Sequence, residues 1–348
     1  MKKASLKDIA QQAGVSTALV SYVLNGKEKE ARVGVAIACK IREIAKELNY
    51  QPNHLAKSLR SGKTHTIGLI IADISNPFFA NIARVVEDEA KRNGYTVIIG
   101  SSDEHAEKSW DLLNVLINRQ VDGFIIVSCE GSEYQVAYLK ERHIPFVLLD
   151  RHFPEMETDF VATNNFKASY DAGVHLIECG YHRIGLIAYK TEMYHMEERI
   201  RGYRQALLDH HLDFQTEWLK EVAFENIAVE VKIAIDALIS GQQKVDALIF
   251  TTYGLAIHGL KYINELRLKV PDDLAIVSFG QSEVFDLYYC PVTYLRQPLE
   301  MLGKTAVEYL LAKLNNPEGE VRQILMDAKL IARDSTKLQV SQKNKSDL

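Results

Sequence analysis

The chain has 348 residues, 47% of them hydrophobic and 25% charged, which fits a globular protein of two or three domains rather than a disordered or fibrous one. No run of eighteen apolar residues occurs, so no membrane span is expected. The net charge of −5 hides a segregation: residues 1–63 carry 12 Lys and Arg against 5 Asp and Glu, whereas the remainder carries 29 against 41, as when only one end of a chain meets a polyanion.

In chain order, Leu6, Ile9, Ala10 and Ala13 fall at i, i+3, i+4 and i+7, one apolar face of a two-turn helix. Gly14 tolerates the positive φ of a helix C-terminus, Val15 can plug the corner, and Ser16 is a good N-cap for a second helix running to Leu24. Val20 and Val23 or Leu24 turn inward, and Asn25-Gly26 stops this helix. Two short helices joined by a tight Gly-containing turn are the helix-turn-helix unit. The outward side of the second helix offers Thr17, Ala18, Ser21 and Tyr22, where a solvated helix normally shows Lys and Glu. Small and hydroxyl-bearing groups suit close approach to base edges in the major groove, and the backbone N–H groups at the Ser16 end can hold a phosphate.

A third helix follows, with Ile37, Ile41, Ile44, Ala45 and Leu48 as its expected buried stripe and Gly34 as a cap without a side-chain acceptor. Lys27, Lys29, Arg32, Lys40 and Lys46 are candidate phosphate neutralisers, which position rather than specify; each taken singly also reads as an ordinary solvated side chain. Pro52 closes the turn Asn49–Asn53, and residues 54–62 allow two turns of helix, too few to be stable alone in water. Leu55 and Leu59 share a face there, which suits packing on the body or a leucine wedge between base steps of the minor groove.

From Thr66 onward apolar strand runs alternate with helical stretches: strands Ile67–Ala72, Thr96–Gly100, Gly123–Val127, Phe146–Leu149, Arg183–Ala188, Ala247–Thr251 and Leu274–Phe279, with helices such as Asn81–Asn93, Lys108–Arg119, Lys167–Cys179 and Leu255–Leu266 between them. This alternation predicts two parallel sheets covered on both faces, whose ligands bind beyond the C-terminal ends of the strands. Phe78 and Phe79 follow the first strand in a Pro-bearing loop and suit stacking on a flat ligand, or core packing for one of the pair. Arg199 follows the Arg183–Ala188 strand and can hold a ligand oxygen through its planar fork. Phe224, Tyr253 and Gln281 follow later strands.

Leu6-Lys7-Asp8-Ile9-Ala10, Ala13-Gly14-Val15-Ser16, Val20-Ser21, Val23-Leu24-Asn25 and Leu48–Asn53 together resemble the head of the lac/galactose repressor (LacI/GalR) family. Ile67–Ile70, Asn76-Pro77-Phe78-Phe79, Val121-Asp122-Gly123, Pro271–Leu274 and Gln297-Pro298-Leu299 resemble its periplasmic-binding-protein-like core, so the likeness spans essentially the whole chain. The resemblance implies an all-α helix-turn-helix head (1–52), a hinge helix or linker (53–63), an α/β body of two parallel-sheet lobes (64–336) and a tail (337–348). The first lobe is expected at about 64–164 and 296–321, and the second at about 165–295 and 322–336. Positions matching Thr17, Ala18 and Tyr22 read bases, the one matching Tyr50 meets a phosphate, and those matching Leu59 and Arg60 work in the minor groove. Leu6, Ser16, Ser21, Asn25 and Asn53 complete the expected DNA-binding set. Positions matching Phe78, Phe79, Asn164, Arg199 and Phe224 line an effector cleft, with Arg151, Met193, His195, Tyr253, Gly280 and Gln281 as further candidates. A homodimer and three crossovers between lobes are implied as well.

This chain departs from the family pattern in several places. Tyr22 stands where an arginine is frequent, the loop Gly26 to Val33 is longer, and Gly34 replaces a usual Ser or Thr. Tyr253-Gly254 replaces a usual Asn-Asp, and Gly280 a usual Asp; fewer acceptors for sugar hydroxyls suit a bulkier or flatter ligand, or none. The expected function is a transcription regulator binding a pseudo-palindromic double-stranded operator, controlled by a small-molecule effector such as a carbohydrate or related metabolite; the alternative is control by a protein partner.

No dinucleotide-binding, Walker, nucleophile-elbow or zinc-protease motif occurs and the histidines are dispersed, so neither an enzyme nor a cofactor is expected. Cys39, Cys129, Cys179 and Cys290 are too scattered for a metal knuckle or redox pair. A solute-binding transport protein would need export, yet the start Met1–Asp8 is charged with no apolar stretch behind it, so a cytoplasmic location is expected.

Overall fold

The computed structural model describes residues 4–50, 62–240 and 243–337. Asn53, Leu59, Arg60 and most of the expected hinge therefore lie outside the described residues, as does the tail from 338. The chain divides into two compact units, Met1–Thr64 and His65–Leu348.

The first unit holds helices α1 (Leu6–Ala13), α2 (Thr17–Leu24) and α3 (Val35–Glu47). Ser5 caps α1 through a reciprocal pair with Asp8, and Gly14 ends it at φ 72° with its N–H on the Ala10 carbonyl. Ser16 Oγ accepts the Leu19 N–H at the start of α2, while Gly34 begins α3 without a side-chain bond. Ile9, Ala10, Ala13, Val20, Val23, Ala38, Ile41, Ile44 and Ala45 form the core of the unit. Ile37 was expected there but is 43% exposed. Both 37 and 38 lie within a turn of Ile41, and the close approach to α1 and α2 admits the small Ala38 instead. Lys40, a candidate phosphate neutraliser, also has a structural partner, since its ammonium donates to the Ala13 carbonyl (3.2 Å) at the C-terminus of α1.

The second unit holds two six-stranded sheets. The first lobe runs β1 (Thr66–Ile71), α4 (Pro77–Arg92), β2 (Thr96–Ser101), α5 (Ala106–Asn118), β3 (Gly123–Ile126), α6 (Glu133–Glu141), β4 (Phe146–Leu149) and β5 (Phe160–Thr163). The second runs α7 (Asn165–Glu178), β6 (Ile184–Tyr189), α8 (Tyr194–Asp209), β7 (Leu219–Val222), α9 (Ile227–Ile239), β8 (Ala247–Phe250), α10 (Tyr253–Glu265), β9 (Ala275–Phe279), α11 (Glu283–Leu287) and β10 (Thr293–Arg296). The chain then returns for α12 (Leu299–Asn315) and β11 (Gln323–Met326), and finishes in β12 (Lys329–Ile331). The strand orders are β11-β5-β4-β3-β1-β2, parallel throughout, and β12-β10-β9-β8-β6-β7, parallel except for the antiparallel edge β12.

The lobe boundary expected at 321/322 needs correction. β11 pairs in parallel with β5, Ile324 opposite Val161, so it belongs to the first lobe and the last crossover falls at Asp327-Ala328. The three crossovers are tied to each other: Asn164 Nδ2 donates to Asp327 Oδ1 (3.1 Å) and Gln297 Nε2 to Thr163 Oγ1 (3.0 Å). The seven expected strands are all present. β5, β7, β10, β11 and β12 are additional; they are three or four residues long, and β7, β11 and β12 lie at sheet edges, where one face is wet and the apolar run is broken.

Candidate functional site

In the first unit the exposed side of α2 is built as the sequence suggests. Thr17 and Ala18 are exposed on its first turn, and Tyr22 stands one turn on with 46% of its surface open. Ser16 is exposed with Oγ engaged as an acceptor, which leaves its hydroxyl proton available to donate. Asn25 bonds back to Ser21, through the carbonyl (2.7 Å) and Oγ (3.3 Å), so both help to end the helix. Leu6 and Tyr50 are half-buried against the core of the unit, and burial raises the proton affinity of the Tyr50 hydroxyl. The loop after α2 is held by the Arg42–Glu28 ion pair and by the Val33 N–H on the Glu28 carbonyl (2.8 Å), leaving Lys27, Lys29 and Arg32 exposed.

In the second unit a cavity of about 410 Å³ opens between the lobes at the C-terminal ends of the parallel strands. Arg151 follows β4 and chelates Glu104 through both terminal nitrogens (2.6 and 2.7 Å), with its guanidinium 5.5 Å from the Phe79 ring centroid. Arg199, on α8, is 5% exposed; its Nε donates to Asn165 Oδ1 (2.8 Å) and Nη1 to the Thr251 carbonyl (2.6 Å), while the fork lies 4.4 Å over Phe279. Burial lowers its pKa to about 10, opposed by the nearby Asp150 carboxylate.

Asp150 itself is buried with φ 67°, in the left-handed region that non-glycine residues seldom adopt. Burial raises its proton affinity, against the pull of Arg151 and Arg199. His195 is buried too; burial and then the two arginines depress its proton affinity well below the usual histidine value, so its ring is neutral at pH 7. Asp150 Oδ1, Arg151 Nε and His195 Nδ1 are all buried without a hydrogen-bond partner among the described residues. Three unsatisfied buried polar atoms around one cavity are costly unless something completes them.

The comparisons with known proteins fit both units. Residues 5–53 match the model of bacterial regulatory proteins of the lacI family, and residues 174–336 that of the periplasmic binding protein-like domain. The HTH-type transcriptional repressor PurR of Aliivibrio fischeri is 31% identical over 335 residues, covering 95% of this chain and 98% of that protein. The chain belongs to the lacI family. It is thus a DNA-binding transcription regulator with an effector-binding core and not an enzyme. A lacI-family regulator from Enterococcus faecium with bound ribose is 26% identical and aligns with TM-score 0.69 over 78% of this chain and 98% of that one. The lac repressor dimer bound to operator and the anti-inducer ONPF, at 21% identity, shares the fold with TM-score 0.85 over 97% of this chain and 100% of that one.

Of the expected effector set in this lacI-family chain, Phe78, Phe79, Arg151, His195 and Arg199 line the cavity, together with Phe224, Tyr253, Gly280 and Gln281. Asn164 and Met193 do not. Asn164 caps α7, accepting the Lys167 N–H (3.1 Å), and its other end is spent on Asp327 at the crossovers. Met193 is 5% exposed and clusters with first-lobe residues such as Leu148 and Phe153, so an apolar side chain next to the cavity was drawn into a core instead. Phe79 is likewise mainly a core residue, whereas Phe78 stays half-exposed and meets it edge to face at 4.9 Å. Asp150, Tyr189, Gln297 and His258 are lining residues that the sequence reading missed. Their signal was position, since Asp150 and Tyr189 stand at the C-terminal ends of β4 and β6.

Proposed function

We propose that this repressor binds a pseudo-palindromic operator as a cytoplasmic homodimer, and that a small carbohydrate or related metabolite held between the lobes sets its operator affinity. The observation that carries the effector reading is the trio of buried atoms without a hydrogen bond among the described residues, Asp150 Oδ1, Arg151 Nε and His195 Nδ1, around one cavity at the strand ends. The PurR name of one relative and the ribose held by one structural neighbour support a metabolite of this kind. No helix among the described residues is long and apolar enough to cross a membrane, in keeping with the proposed location.

Thr17, Ala18 and Tyr22 read base edges, and Ser16, with the exposed basic loop, meets phosphates. Leu59 and Arg60 extend this contact into the minor groove, and Asn53 adds a further DNA contact. The dimer reading rests on exposed apolar groups that water alone would leave costly: Ile98 and Ile99 on the sheet edge β2, Val229 and Ile233 one turn apart on α9 (58% and 59% exposed), and Leu287 at the end of α11 (83% exposed). A second copy is the natural cover, as the structurally similar lac repressor is a dimer on its operator. Because operator and effector bind the same molecule, each must change the affinity of the other by the same factor.

Selection of bound fragments from genomic DNA, repeated in the presence of a metabolite panel, tests the whole reading. The expected result is a motif with two-fold symmetry whose recovery changes with one compound. A motif without symmetry would refute the homodimer, and recovery unmoved by any compound would refute the effector. Ile233→Asp should convert a dimer to a monomer in light scattering; a wild-type protein already monomeric at micromolar concentration would sink the proposed interface.

A further inference from the structure

Resting on the effector reading above, we infer that the effector is a hydroxylated ring carrying a flat, uncharged aromatic group. Aryl glycosides and nucleosides share that chemistry.

The acidic functions of the cavity gather on one side. The carboxylates among its described lining residues, Asp73, Glu104 and Asp150, all come from the first lobe. Ser75 occupies both oxygens of Asp73, through N–H and Oγ at 2.8 Å each, and Arg151 occupies both of Glu104. That leaves Asp150 Oδ1 as a buried carboxylate oxygen for a ligand donor; Arg151 Nε, 3.9 Å from Asp150 Oδ2, and His195 Nδ1 also lack a hydrogen bond among the described residues, and Arg199 lies over Phe279. These groups can satisfy two or three hydroxyls on one edge of a ring.

The second lobe contributes no Asp or Glu among its described lining residues; beside its polar His195, Arg199, Thr252, His258 and Gln281 it presents the aromatic Tyr189, Phe224 and Tyr253. Tyr189 and Phe224 lie with ring centroids 5.3 Å apart, and Phe224 is 46% exposed. Gly254 adds no side chain beside Tyr189: a Cβ there would stand 3.1 Å from the Tyr189 hydroxyl and 3.9 Å from Ile227 Cδ1. Gly280, at φ 81°, leaves the neighbouring Tyr253 uncovered, since a Cβ at that position would come within 3.6 Å of the Tyr253 Cβ. The two glycines thus keep a flat-walled space open where acidic side chains would otherwise grip hydroxyls.

A free sugar carries hydroxyls around its whole rim, and each one buried against the ring faces of Phe224 and Tyr253 without a partner weakens binding about tenfold or more. An aromatic substituent placed there would instead bury its face against Phe224 and Tyr253. The volume of about 410 Å³ lies within the range of sites for molecules of two or more rings.

The test is calorimetric titration of the full chain with two matched pairs: phenyl against methyl β-D-glucopyranoside, and adenosine against methyl β-D-ribofuranoside. The expected result is that the aromatic member of one pair binds at least about tenfold more tightly than its methyl partner, and which pair responds separates a glycoside from a nucleoside. Phe224→Ala should collapse the difference within that pair, whereas Asp150→Asn should weaken both members together. A methyl partner binding as tightly as the aromatic one, a difference that survives Phe224→Ala, or no binding by either aromatic compound would each overturn the inference. The effector reading is judged separately: it stands if any compound of the metabolite panel shifts operator affinity and falls if none does.

Discussion

Arg199 faces the cavity, yet its guanidinium is also the first link of a chain of hydrogen bonds to the crossovers. Nε donates to Asn165 Oδ1 (2.8 Å), Asn165 Nδ2 to the Thr163 carbonyl (3.0 Å), and Thr163 Oγ1 receives the Gln297 amide (3.0 Å). These bonds connect α8 with the first and second crossovers. Arg199→Lys keeps the charge but removes the fork, so an ammonium can replace at most one of the two bonds made to Asn165 and Thr251. Losing one charge-assisted bond and leaving buried Asn165 Oδ1 without a donor should cost about 2–3 kcal/mol.

Urea unfolding followed by tryptophan fluorescence measures this cleanly, because Trp110 and Trp218 both lie in the second unit and the head is silent. In a cycle with Asn165→Ala, the double variant should lose about 1–2 kcal/mol less than the sum of the single losses. Additive losses, within about 0.5 kcal/mol, would show that the two side chains do not act as a pair and would refute the reasoning.

The acid behaviour of the cleft follows from groups shifted in opposite senses. His152, with a pKa lowered to about 4 by burial, and His195, shifted the same way, resist protonation in the folded state, so the unfolded chain binds more protons as pH falls below about 6.5 and stability declines there. His195→Gln should flatten that decline between about pH 6.5 and 5 in thermal melts. Asp150 is shifted upward, so its contribution is present at low pH and is lost as pH rises through its folded value; Asp150→Asn should therefore raise the melting temperature more at pH 7 than at pH 4, by several degrees if the uncompensated carboxylate costs 1–2 kcal/mol. At the operator, a Tyr22 substitution should change the selected sequence, whereas Lys27→Ala should weaken all sequences alike and reduce the salt slope by about one, both read from binding titrations at several salt concentrations. Gly202→Ala should destabilise the second unit by about 3 kcal/mol or more in urea melts, because its Cβ would collide with the Phe166 carbonyl where α7 and α8 pack.

Much of this was legible in the sequence because apolar periodicity is a local property. The three head helices followed from residues such as Ile9, Val20 and Ile41, whose spacing matches one helical face each. Long buried strands such as β1 and β9 stood out as unbroken apolar runs. What escaped depends on contacts distant in sequence. β11 reads as a loose apolar stretch, and nothing near Gln323 shows that its partner is Phe160. Asn164 and Met193 are close to the cavity in sequence neighbourhood, but a cap with an interlobe tie claims one and a first-lobe core claims the other. Asp150 was passed over because a carboxylate after a strand reads as a solvated loop residue until burial and the two arginines are seen around it.

The path of the chain between the lobes also bears on how the protein is made. β11 completes the first sheet and β12 the second, and both lie within the last described stretch, residues 323–331. Neither sheet can therefore be finished on the ribosome until nearly all of the chain has emerged, whereas the head, a separate unit closed by contacts within its first fifty residues, can fold early. A stop codon shortly before Gln323 would leave a folded DNA-binding head attached to two lobes that lack their last strands, a product expected to aggregate rather than to repress weakly.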